Sequence, residues 1–207
     1  MTLEFPFNTF DMSSDQAQSL FDIYTKLSTK YSVTVDNDFI FDVSKFVTFS
    51  NNDLNDHGPV FRINIHTRSF FLCFPQLLYR VGGGRYSPGT QIEYQAWGYY
   101  ELTENFGHVL IKSETFLDKI HDLFNPIDLD FEADSEFSKR FLVITNDKSK
   151  ALLKLNSKFR DLVKSIQLKE VILEINGNQL VIGEKKVISE NSTLIFAEFL
   201  DTLSKGF

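Results

Sequence analysis

Apolar residues recur at three- and four-residue spacing in four parts of the chain, which is the pattern of helices that bury one face. The predicted helices cover residues 14–31, 116–124, 147–166 and 194–203. Ser13 and Gln16 form a capping box before the first helix, and Asn156-Ser157 could interrupt the third. Gly206 follows the last helix, where a left-handed cap is expected.

Elsewhere the period changes to two, and β-branched and aromatic residues dominate, as they do in strands. The predicted strands lie near 32–35, 39–43, 45–49, 60–66, 69–74, 91–101, 107–112, 141–145, 170–175 and 179–183. The last two flank Asn176-Gly177, a pair suited to the positive φ angles of a hairpin turn. Turn residues between neighbouring strands favour antiparallel pairing, and residues 81–89 are expected to form a long glycine-rich loop.

These elements predict an α+β protein in which largely antiparallel sheets pack against about four amphipathic helices. Twenty-two phenylalanines and a hydrophobic content of 43% supply a large core. No linker rich in Pro, Gly or Ser divides the chain, so we expect a single domain over residues 1–207. Within it, a sheet-rich lobe (1–125) and a strand-helix-hairpin-helix lobe (126–207) could share a sheet.

A single cysteine, Cys73, cannot form an intramolecular disulfide, which fits a reducing compartment and predicts a cytoplasmic protein. Its apolar neighbours predict a buried, unreactive thiol. The first residues contain no basic leader, and no apolar run approaches the ~18 residues of a membrane span. We therefore expect a soluble chain.

Charge is distributed unevenly along this acidic chain. Residues 1–136 hold 9 basic and 20 acidic side chains, whereas residues 137–170 hold 9 basic and 3 acidic ones. Lys150, Lys154 and Lys158 are four apart and are predicted to share the outward face of one helix. That face could dock an acidic partner or an anionic surface, with an ordinary solvated surface as the alternative. The acidic remainder disfavours nucleic acid as the partner.

The motifs of common catalytic and metal sites are incomplete here. The alternating acids from Asp128 to Glu136 begin like an EF-hand loop. Ala133 then stands where that loop needs glycine, and Lys139 where it needs a bidentate glutamate. The four histidines form no HExxH motif, and the triple glycine lacks the Lys-Ser/Thr pair of a phosphate loop. We therefore predict no catalytic residue, no cofactor and no metal.

The strand predicted over residues 91–101 carries large aromatic side chains on both faces. Tyr94, Trp97, Tyr99 and Tyr100 are its candidates for the wall of an apolar pocket. Ordinary packing between the sheet and the helices is the alternative explanation.

The stretch from Phe106 to Leu203 resembles the C-terminal region of a broad group of uncharacterised bacterial proteins, a domain of unknown function. Three features carry the resemblance: the acidic segment from Asp128 running into the strand at 141–145, the helical region 147–166, and the hairpin at 171–182. The resemblance implies the fold of that region and a bacterial type of protein. Members often have hydrophobic segments that suggest membrane attachment, and this chain has none.

The leading hypothesis is a non-enzymatic domain that binds another macromolecule. A more specific form of this hypothesis is an acidic protein that neutralises a basic partner. The first alternative is a carrier of an apolar or lipid-like ligand, with the aromatic strand as its wall. The second is an enzyme whose site is assembled from distant residues such as His66, His108, Asp128 and Glu101.

Overall fold

The architecture comes from a computed structural model that describes residues 4–50, 53–65, 68–81, 89–113 and 127–206. It confirms the predicted α+β class. The predicted helix at 116–124 and most of the expected glycine-rich loop lie outside the described residues. None of the described helices is long and apolar enough to cross a membrane.

The described residues form five helices and twelve strands. The helices are α1 (Ser14–Ser28), α2 (Ser135–Arg140), α3 (Lys148–Lys154), α4 (Ser157–Lys164) and α5 (Glu190–Ser204). The strands are β1 (Ser32–Val35), β2 (Asp53–Asp56), β3 (Val60–Ile65), β4 (Arg68–Cys73), β5 (Gln76–Val81), β6 (Gly89–Tyr94), β7 (Trp97–Glu101), β8 (His108–Ser113), β9 (Ile127–Asp128), β10 (Phe141–Thr145), β11 (Ile172–Asn176) and β12 (Gln179–Gly183). Two short 3-10 helices, Val43–Lys45 and Val47–Phe49, follow β1.

Nine strands form one antiparallel sheet in the order β1-β3-β4-β7-β12-β11-β8-β10-β9, and β2, β5 and β6 form a smaller one. The β11–β12 hairpin lies between β7 and β8, so two strands that follow each other in sequence are separated in the sheet by a hairpin from the C-terminal part of the chain. Gly177, with a φ of 66°, supplies the positive angle that its turn requires.

Each face of the large sheet carries its own apolar cluster. One cluster unites the helices with inward residues such as Phe70, Leu173 and Phe196. The other contains Trp97 and Val181, which are covered by the segment that holds the two 3-10 helices. Successive residues of a strand point to opposite faces of the sheet, so neighbouring residues of one strand belong to different clusters and both faces are buried.

Two predicted strands, 39–43 and 45–49, are wrong: residues 39–42 form no strand, and Val43–Lys45 and Val47–Phe49 are the 3-10 helices. The prediction of one strand over 91–101 is also wrong. The structure divides it into β6 and β7, which belong to different sheets. Gln95, which is fully buried between them, accepts a hydrogen bond from Trp97 Nε1 at 3.0 Å.

Several local predictions are confirmed. Ser13 and Gln16 form both hydrogen bonds of the capping box. The helical region 147–166 is interrupted after Leu155, and Asn156 caps the second part. Cys73 is fully buried, and this burial raises the pKa of its thiol well above the usual value.

Candidate binding groove

A groove of about 290 Å³ opens at the end of β7, between the loop that follows this strand and the helices α3, α4 and α5. Its lining comprises Arg68, Tyr100, Leu102, Thr103, Glu104, Phe106, Leu153, Lys154, Asn156, Phe159 and Leu203. Because these residues come from distant parts of the chain, no local motif marks the groove.

The floor of the groove is apolar and well packed. Leu102, Phe106, Phe159 and Leu203 are each less than 9% exposed. The rings of Phe106 and Phe159 lie 5.8 Å apart between centroids. A floor of this kind excludes water and can contact apolar groups of a ligand.

The loop between β7 and β8 is fastened to the β11–β12 turn. The Leu102 amide donates to the Asn178 carbonyl at 2.7 Å, and the Phe106 amide donates to the Gly177 carbonyl at 2.8 Å. The Gly177 amide in turn donates to the Gly107 carbonyl at 2.8 Å. These bonds satisfy the backbone of the loop and hold one wall of the groove in place.

The rim of the groove combines an exposed leucine with a cation. Leu153 on α3 is 72% exposed. Arg68, at the start of β4, donates from Nη1 to the Tyr100 hydroxyl at 3.0 Å and to the Ser204 carbonyl at 3.4 Å. No carboxylate pairs with Arg68 in the part of the chain that the structure describes. Its remaining guanidinium hydrogens are available at the rim.

The three lysines of the predicted basic face do not share one helix. Lys150 and Lys154 lie on α3, and Lys158 lies on α4. Lys150 Nζ donates to Asn105 Oδ1 at 3.3 Å, and Lys154 Nζ pairs with Glu104 Oε2 at 2.5 Å. The two α3 lysines therefore attach their helix to the loop that lines the groove, and Lys158 is exposed.

The four aromatic residues proposed as one pocket wall lie in different places. Tyr100 lines the groove, and Tyr94 lines a separate small cavity. Trp97 and Tyr99 pack in the cluster on the opposite sheet face, where Phe49 contacts the indole at 4.6 Å between ring centroids. The structure thus brings one predicted aromatic residue, Tyr100, and one predicted lysine, Lys154, into the same groove.

The residues proposed for a distant-residue active site are also separated. His66 lies outside the described residues. Glu101 Oε1 accepts from Asn178 Nδ2 at 3.0 Å, and Asp128 lies on the edge strand β9. His108 pairs instead with Glu174, at 2.6 Å between Nε2 and Oε1.

Glu174, which the sequence analysis missed, is fully buried in the central strand β11. Its two carboxylate oxygens accept the backbone amides of Val47 and Thr48, each at 2.8 Å. The carboxylate therefore binds the start of the second 3-10 helix and joins the covering segment to the sheet. A charged residue amid the apolar alternation of β11 was the signal that could have revealed it.

Among the described residues, no three His, Cys, Asp or Glu side chains are grouped closely enough to bind a metal ion. Comparisons with protein-family models, with curated proteins and with solved structures found no match to this chain.

Proposed function

We propose that the protein is a macromolecular interaction domain and that its groove binds a segment of a partner protein in which an apolar side chain lies next to a carboxylate. The observation that carries the proposal is the 72% exposure of Leu153 beside a groove with an apolar floor. A partner's side chain seated there would cover Leu153 and contact Phe106 and Phe159.

Arg68 supports the acidic part of the partner segment. Its guanidinium is held by Tyr100 and Ser204 through Nη1, and neither Nε nor Nη2 has a hydrogen-bond partner among the described residues. Arginine held in this way loses little conformational entropy when it binds a carboxylate, and it is enriched at protein interfaces. Lys154 adds little, because Glu104 already neutralises it.

The dimensions of the groove favour a peptide segment over the alternative, a lipid-like ligand. Pockets that enclose small molecules usually measure ~300–1,000 Å³ and surround most of the ligand. This groove holds about 290 Å³ and is open at the Leu153 edge. A groove open on one side leaves much of a lipid-like ligand in water, whereas a peptide segment needs only one or two of its side chains covered.

A peptide-display selection on the full chain tests the proposal. We expect the selected peptides to share an apolar residue next to Asp or Glu. Their affinity, measured by fluorescence anisotropy, should fall at least about tenfold with Leu153→Asp and with Arg68→Gln. Leu152→Asp is the matched control, since Leu152 lies on the same helix, is 43% exposed and does not line the groove.

Two outcomes would overturn the proposal. One is a set of selected peptides that binds Leu153→Asp and Arg68→Gln as tightly as the unchanged chain. The other is tight binding of lauric acid that Leu153→Asp abolishes while no peptide is selected, which would establish the carrier function instead. Thermal unfolding of each variant separates a binding defect from a folding defect.

A further inference from the structure

A second cavity of about 170 Å³ lies apart from the groove. It is formed by the segment that precedes α1, by the residues after β1, by the turn between β2 and β3, and by Tyr94 at the end of β6. Nothing in the proposed function uses it. Its walls combine aromatic rings with carboxylates.

Three aromatic side chains contribute to the walls of this cavity. Phe7 and Tyr94 are 7% and 2% exposed, so their positions are fixed by packing. Phe10 is 89% exposed, and its ring is therefore free to cover a bound molecule. The faces of such rings carry negative electrostatic potential and attract cations.

Two carboxylates, Asp11 and Asp56, also line the cavity, and none of its lining residues that the structure describes is basic. Neither carboxylate forms an ion pair within the described residues. Asp56 Oδ1 accepts the Gly58 amide at 2.5 Å, which holds the carboxylate in place at the turn. The cavity therefore carries negative charge that the protein itself does not neutralise.

Tyr94 is only 2% exposed, and its hydroxyl has no hydrogen-bond partner among the described residues and is open to solvent. The Cε1 edge of the ring lies beside Gly58, 3.4 Å from where a Cβ at that position would be. Burial, followed by the charges of Asp56 and Asp11, raises the pKa of Tyr94 to about 12. The phenol is therefore neutral, and its oxygen is a polar group beside the two carboxylates that a cationic ligand could contact.

We propose that this cavity binds an alkylammonium group, with Asp11 and Asp56 neutralising its charge and Phe7, Phe10 and Tyr94 contacting its alkyl carbons. Hard inorganic cations fit poorly, because Ca²⁺ requires six to eight oxygen ligands and, among the described residues, no three His, Cys, Asp or Glu side chains are grouped closely enough to bind a metal ion. A water molecule occupies ~30 Å³ in the liquid, so the cavity accommodates about five heavy atoms. Tetramethylammonium has that size.

Isothermal titration of the full chain with tetramethylammonium chloride tests the proposal. The matched neutral probe is tert-butanol, which has the same number of heavy atoms and nearly the same shape. We expect tetramethylammonium to bind at least about tenfold more tightly than tert-butanol. Asp11→Asn combined with Asp56→Asn should reduce its affinity by a similar factor, because an asparagine at position 56 can still accept the Gly58 amide. Asp130→Asn, an exposed carboxylate elsewhere, should have no effect.

Equal binding of the two probes would overturn the proposal, as would unchanged affinity in the double variant. Suppression of the tetramethylammonium signal by millimolar Mg²⁺ would overturn it in favour of an inorganic cation. The alkylammonium group could belong to a small free amine or to a methylated lysine of a protein. Choline and a blocked peptide containing trimethyllysine distinguish these sources, and the proposal requires that at least one of them displaces tetramethylammonium.

Discussion

Gly58 and Gly177 adopt nearly the same backbone conformation in very different surroundings. Their φ angles are 61° and 66°. A Cβ at position 58 would lie 1.9 Å from the Phe74 carbonyl oxygen, whereas at position 177 its nearest neighbour would be Asn105 Nδ2 at 3.7 Å. Both positions favour glycine because their φ angle is positive. Only position 58 also lacks the space for a Cβ atom.

We therefore expect Gly58→Ala to lower the free energy of unfolding by at least ~3 kcal/mol and Gly177→Ala by about 1–2 kcal/mol. The second loss reflects the left-handed conformation alone, and the difference between the two measures the clash with Phe74. Urea unfolding of both variants gives these values. Equal losses would show that the backbone near Phe74 moves aside at no cost.

Glu174 is a second residue on which the structure depends strongly. Its carboxylate has three donors, the amides of Val47 and Thr48 and the His108 ring. Glu174→Gln replaces one acceptor oxygen with a donor group and leaves one of the two buried amides without its acceptor. We expect a loss of about 1–3 kcal/mol in urea unfolding, the cost of leaving a buried donor unsatisfied. Glu101→Gln, an exposed carboxylate on the same sheet, should change stability by less than ~0.5 kcal/mol.

At the scale of elements, sequence periodicity predicts those helices and strands whose formation depends on residues close in sequence. The spacing of Ala17, Leu20 and Leu27 predicts α1, and each of them is buried against the core. The same reasoning fails between residues 39 and 49. There Asp42 caps one 3-10 turn locally, and Glu174 caps the next from 127 residues away. A contact with a residue so distant in sequence does not affect the spacing of apolar residues in the segment, so periodicity cannot predict it.

Asp134 connects two helices of the structure. It caps α2 by accepting the Phe137 amide at 3.3 Å, and it binds Arg160 Nε at 2.8 Å and Lys164 Nζ at 3.1 Å on α4. The Arg160 hydrogen bond is the largest cause that holds the pKa of Asp134 below its usual 3.8, with Lys164 and the Phe137 amide adding to it against the effect of burial. Its contribution to stability is therefore complete above about pH 4 and is lost as the pH falls through the lowered pKa.

Asp134→Asn tests this connection, because asparagine keeps the cap and removes the charge. We expect a loss of about 1–2 kcal/mol in urea unfolding at pH 7, which shrinks toward zero as the pH is lowered below 4. Asp161→Asn is the matched control: this carboxylate also binds Lys164, at 2.9 Å, but its side chain is 65% exposed. Its removal should cost less than ~0.5 kcal/mol at pH 7. Equal losses would show that Asp134 acts as a surface charge only.

At the scale of the whole molecule, the groove illustrates what one sequence can and cannot predict. Tyr100 and Lys154 were both singled out from patterns within their own elements. Neither pattern indicated that the two residues line one groove, because β7 and α3 are far apart in sequence and meet only through the folded sheet. Arg68 and Leu153 carry no local signal of binding at all, and their importance depends entirely on what the fold places beside them.

Because of the order of strands in the large sheet, the N-terminal and C-terminal parts of the chain depend on each other for stability. β7 pairs with β12, and β8 pairs with both β11 and β10. The early strands β7 and β8 therefore form no hydrogen bonds with each other in the sheet. Without the hairpin of β11 and β12, each would expose an unpaired edge and the apolar faces that now contact the hairpin. We therefore predict that the chain folds as one cooperative unit and that residues 1–126 alone do not form a stable structure.

Two measurements on the full chain and one on the shortened chain check this prediction. Trp97, which is fully buried and pairs with Gly183 of β12, reports on the centre of the sheet by fluorescence. Its urea transition should coincide with the loss of secondary structure followed by circular dichroism, because the strands cannot separate in stages. The shortened chain should show no cooperative transition and an exposed indole. Two separated transitions, or a cooperative transition in residues 1–126, would mean that the early strands form a stable sheet without the hairpin and that the interleaved order is a later docking step.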